Sequence, residues 1–66
     1  MNEFNFEIAN EQRPLLDKLV NSVRPDFIYK LNRIINGYSV TLSAFGGIQK
    51  QLADFVELIQ SNGIVL

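Results

Sequence analysis

Sixty-six residues with no cysteine, no histidine and a formal net charge of −1 narrow what this chain can be. The length allows one small domain, residues 1–66. Disulfide stapling is excluded, and a zinc site nearly so, because only carboxylate oxygens remain as ligands. A domain of this size buries only about 60 % of its unfolded surface, so the 47 % hydrophobic content points to association as the compensation.

Charge is spread unevenly. Glu3, Glu7 and Glu11 make the start acidic, whereas Arg13, Lys18, Arg24, Lys30 and Arg33 outnumber Asp17 and Asp26 over residues 12–33. That is a mild polarity, not the basic tract of a nucleic-acid binder. The acidic opening lacks the basic-then-apolar pattern of a secretory signal. Apolar stretches of only a few residues fall far short of the roughly 20 needed to span a bilayer. A soluble, cytoplasmic protein without a membrane partner is expected.

In chain order, "FNFEI" alternates Phe4, Phe6 and Ile8 with Asn5 and Glu7, the period of a half-buried strand or of a terminal arm with the same pattern. Leu15, Leu16, Leu19, Val20 and Val23 then recur at helical spacing. With Asn10 as N-cap and Pro14 in the first turn, they predict a helix from about Glu11 to Ser22. Arg24, placed before Pro25, should leave the helical region and turn a corner. A second helix is predicted from Pro25 to the Asn36-Gly37 stop, with Phe27, Ile28, Leu31, Ile34 and Ile35 as its apolar stripe.

"YSVTLSAF" reads as a strand through Tyr38, Val40 and Leu42. The competing reading is one long helix from about Val40 to Gln60, which would carry Gly46 and Gly47 inside it at roughly 1 kcal/mol each. On the strand reading, a third helix spans Ile48 to Ser61 and "IVL" closes the chain as a third strand. The expected fold is α+β in the order β-α-α-β-α-β, three helices on a short sheet. The alternative is an all-α three-helix bundle.

Catalytic and cofactor motifs fail one by one. "GGIQKQ" lacks the Lys-Ser/Thr pair of a phosphate loop, and the three spaced glycines of a dinucleotide fingerprint are missing. Gly46 and Gly47 are therefore expected to bend the chain rather than hold an anion. "GYSVT" has Thr41 where a nucleophile elbow needs glycine, and without histidine Ser39 has no usual base. The carboxylate pairs Glu3/Glu7 and Asp54/Glu57 fall on solvated faces. No enzyme activity, cofactor or metal is expected.

On the predicted second helix, Tyr29, Arg33 and Asn36 lie opposite the apolar stripe with Asp26 and Lys30 beside them, a composition suited to binding a larger protein. Phe4, Phe6, Ile64, Val65 and Leu66 at the chain ends offer strands for self-association into a homo-oligomer. The expected function is thus a small non-enzymatic interaction protein: an adaptor, regulator or inhibitor. The alternative is a nucleic-acid-binding regulator using Arg13, Arg24, Lys30 and Arg33.

Overall fold

A computed structural model describes residues 3–44 and 49–66. The expected bend at Gly46-Gly47 lies outside the described residues, as do Phe45 and Ile48.

The elements are β1 (Glu3–Ala9), a 3₁₀ turn (Asn10–Gln12), α1 (Arg13–Val23), β2 (Ile28–Ile34), β3 (Gly37–Ser43) and α2 (Gln49–Ser61). The sheet has the order β1-β3-β2, with β3 antiparallel to both neighbours. β1 and β2 therefore run parallel, and α1 is the crossover between them. Among the described residues the fold is α+β, but the order is β-α-β-β-α with two α-helices, and the all-α alternative does not form.

Alternation assigns the two faces of the sheet. Phe4, Leu42 and Tyr29 align in one row on the inner face, followed by Phe6, Val40 and Leu31, then Ile8, Tyr38 and Arg33. Phe6, Ile8, Val40 and Leu42 are buried there against Leu16 and Val20 of α1 and Leu52, Phe55 and Ile59 of α2. The outer face carries Glu3, Asn5 and Glu7 beside Ser43, Thr41 and Ser39, which adjoin Ile28, Lys30 and Asn32. A cross-strand side-chain bond there runs from the Thr41 hydroxyl to the Asn5 amide oxygen at 2.6 Å.

The predicted helix over Pro25–Asn36 is a corner followed by β2. The N–H of Phe27 bonds the carbonyl of Arg24 at 3.0 Å to close the corner. Phe27 is buried edge-on against Phe55, with centroids 5.4 Å apart. Positions 28, 31, 34 and 35 fit a helical stripe, yet "IYKLNRI" is rich in β-branched and aromatic residues that suit a pleated surface. The Asn36-Gly37 pair that seemed to stop a helix turns a hairpin instead. Asn36 takes a positive φ of 66° in the two-residue loop between Ile34 and Gly37.

The other boundaries shift for local reasons. Asn10 opens the 3₁₀ turn rather than capping α1, whose N-cap is Gln12 without a side-chain bond. "IVL" is not a strand. At the end of α2, Gly63 at φ 93° lets its own N–H reach the carbonyl of Gln60 and the N–H of Ile64 reach that of Ile59, a Schellman closure. The wrap buries Ile64 and turns Val65 and Leu66 outward.

Candidate functional site

The five residues expected to form one binding face are dispersed. The helix projection put them together, but strand alternation and the corner separate them. Asp26 sits in the corner, gripped by Nε and Nη2 of Arg24 at 3.0 and 2.7 Å, and the Arg24 hydrogen bond holds its carboxyl below its ordinary value. Lys30 lies on the outer face. Tyr29 turns inward and donates its hydroxyl to Asp17 at 2.6 Å. Burial first, and then that bond, push the Tyr29 phenol well above its ordinary value. Asn36 is at the hairpin tip.

Arg33 meets Arg13 at the hydroxyl of Tyr38, which accepts from the two guanidinium groups at 2.9 and 3.1 Å. Their Cζ atoms lie 5.2 and 5.0 Å from the ring centroid. The Arg13 hydrogen bond, above all, lowers the Tyr38 phenol. Arg24 also bonds Gln51 at 3.0 Å and lies 4.2 Å from the Phe27 centroid, fastening the corner to α2. The four basic residues of the nucleic-acid alternative thus occupy three separate places: the corner, the outer face, and the Tyr38 cluster.

The five residues expected at a self-association surface also divide. Phe6 and Ile64 are core residues, and Phe4 is half-buried with its ring 5.4 Å from that of Phe6. Val65 and Leu66, 76 % and 38 % exposed, remain available. Among the described residues there is no acidic cluster that could hold a metal ion. No described helix is long and apolar enough to cross a membrane.

What the structure brings together lies at the hairpin end of the sheet. A hollow of about 520 Å³ opens between the last residues of β1, the β2–β3 turn and the C-terminal residues, lined by Ala9, Gln12, Ile34, Ile35, Val65 and Leu66 among others. Ile35 stands at the turn tip with 89 % of its surface exposed. Turn positions ordinarily go to Gly, Pro, Asn, Asp or Ser, and nothing in the fold requires isoleucine there. The amide oxygen of Gln12 is shut off from solvent with no hydrogen-bond partner among the described residues. Sequence reasoning missed Ile35 and Gln12 because it placed one on a buried helix stripe and the other inside a helix. The Asn36-Gly37 hairpin signal would have revealed the turn but set its tip one residue late, at Asn36-Gly37, whereas the loop is Ile35-Asn36.

Comparison with protein-family models, curated proteins and solved structures found no match. The functional reading therefore rests on this geometry.

Proposed function

We propose that the chain is a small non-enzymatic docking protein, an adaptor, regulator or inhibitor that engages a larger protein through the hairpin end of its sheet. The observation that carries this reading is Ile35, an isoleucine held out at a turn tip beside the exposed Val65 and Leu66 around one hollow. Apolar surface gathered in this way marks an interaction site, whereas scattered single residues do not.

The test is capture from the native lysate at moderate salt, with and without nuclease, comparing the wild type with an Ile35→Glu, Val65→Glu variant. The expected result is a stoichiometric protein partner on the wild type that the variant loses while keeping its circular dichroism. A partner held equally by both would reject the hairpin end as the docking surface. Binding that disappears with nuclease would instead favour a nucleic-acid regulator, with Arg13 and Arg33 at Tyr38 as its phosphate contacts.

A further inference from the structure

We infer that β2 pairs antiparallel with β2 of a second copy, about a two-fold axis at Leu31, joining two sheets into one. This goes beyond docking at the hairpin end and uses a different surface, the free edge of the sheet.

The hydrogen-bond phase of the sheet comes first. A two-residue loop makes Ile34 and Gly37 the bonded closing pair, and bonded and non-bonded pairs alternate along an antiparallel ladder. Ile28, Lys30, Asn32 and Ile34 therefore bond β3. Tyr29, Leu31 and Arg33 turn their N–H and C=O groups away from the sheet, where no described strand receives them. An edge of this kind is a template for another strand.

Charge and polarity then choose the register. Centred on Leu31, Ile28 faces Ile34 of the second copy, Tyr29 faces Arg33, Lys30 faces Asn32, and Leu31 faces itself. Apolar meets apolar, a guanidinium meets an aromatic ring, and no like charges stand opposite each other. Tyr29, Leu31 and Arg33 are also the residues with outward backbone groups, so the register that matches side chains exchanges main-chain bonds at every one of them. Centring on Lys30 would set that lysine against its own copy. Centring on Asn32 would set Leu31 against Arg33 and Ile34 against Lys30.

The other edge is less suited. Gly37 uses its backbone groups on Ile34, so Ala9, Glu7, Asn5 and Glu3 are the β1 residues that face outward. Two-fold pairing of β1 centred on Asn5 or Glu7 puts glutamates opposite one another. Centred on Phe6, it lines the seam with Glu3 and Glu7 from both copies. Self-association is thus reassigned from the chain ends to β2.

The absence of cysteine makes a clean test possible. Lys30→Cys and Asn32→Cys both alter exposed outer-face positions, so both variants should keep the fold. Each is oxidised alone and as an equimolar mixture, with mass measured by sedimentation. Since Lys30 faces Asn32 across the seam, the mixed disulfide should exceed either homodisulfide roughly tenfold, a preference of about 1.4 kcal/mol. The unmodified chain should approach twice its 7.5 kDa mass as concentration rises. Adding Ile35→Glu should leave this pattern unchanged. A monomer at every concentration, or homodisulfides as abundant as the mixed one, would overturn the pairing. A dimer that Ile35→Glu dissolves would place self-association in the hollow instead.

Discussion

Tyr29 and Tyr38 lie on neighbouring strands, facing the same side of the sheet, yet their phenols are driven in opposite directions. Tyr29 is shielded and donates to a carboxylate, which favours its neutral form. Tyr38 accepts from two guanidinium groups, which favours its anion. The chain has two tyrosines and no tryptophan, so phenolate absorbance should rise in two separate phases, and Tyr38→Phe should remove the earlier one. The Tyr29→Phe variant should lose about 1 kcal/mol at neutral pH by denaturant titration. A neutral tyrosine with a raised pKa stabilises fully below the ordinary phenol value of about 10 and progressively less as pH climbs past it. The gap between wild type and Tyr29→Phe should therefore shrink above about pH 10. Gly37 is constrained differently: a Cβ there would collide with the backbone carbonyl of Ile8 in the adjacent strand. Gly37→Ala should destabilise by at least about 1–3 kcal/mol, because a strand and not a flexible side chain must move.

The elements differ in how far the sequence reveals them. β1 and both helices follow from periodicity, whereas β3 is the strand reading of Tyr38, Val40 and Leu42, which competes with one long helix from about Val40 to Gln60. Leu16 and Val20 sit one helical turn apart. β2 escapes because 28, 31, 34 and 35 match a helix stripe just as well, and only pairing with β3 decides. A lone helix satisfies its own backbone; a strand needs a neighbour, and β3 supplies one through Asn36-Gly37. The hidden element also hid the site, because Ile35 is a core residue on a helix and an exposed tip on a hairpin. The end of α2 depends on the positive φ of Gly63, so Gly63→Ala should cost roughly 1 kcal/mol. It should also loosen Ile64, measurable as faster amide exchange at that residue.

At the scale of the whole molecule, α1 and α2 cover one face of the sheet, and the other carries mostly polar side chains together with Ile28 and Ile34. Stability then depends on a core of small volume, and among the described residues no further strand pairs with either sheet edge. The hairpin end offers apolar surface to a partner, while the β2 edge offers backbone groups to a second copy. Both depend on residues 28–34 being a strand at the border of the sheet. Amide hydrogen exchange by NMR, at low and high protein concentration, tests this most directly. At low concentration, Ile28, Lys30, Asn32 and Ile34 should be protected while Tyr29, Leu31 and Arg33 exchange freely. At high concentration those three should become protected as well. Uniform protection from Phe27 to Ile35 at every concentration would indicate a helix and contradict both surfaces at once.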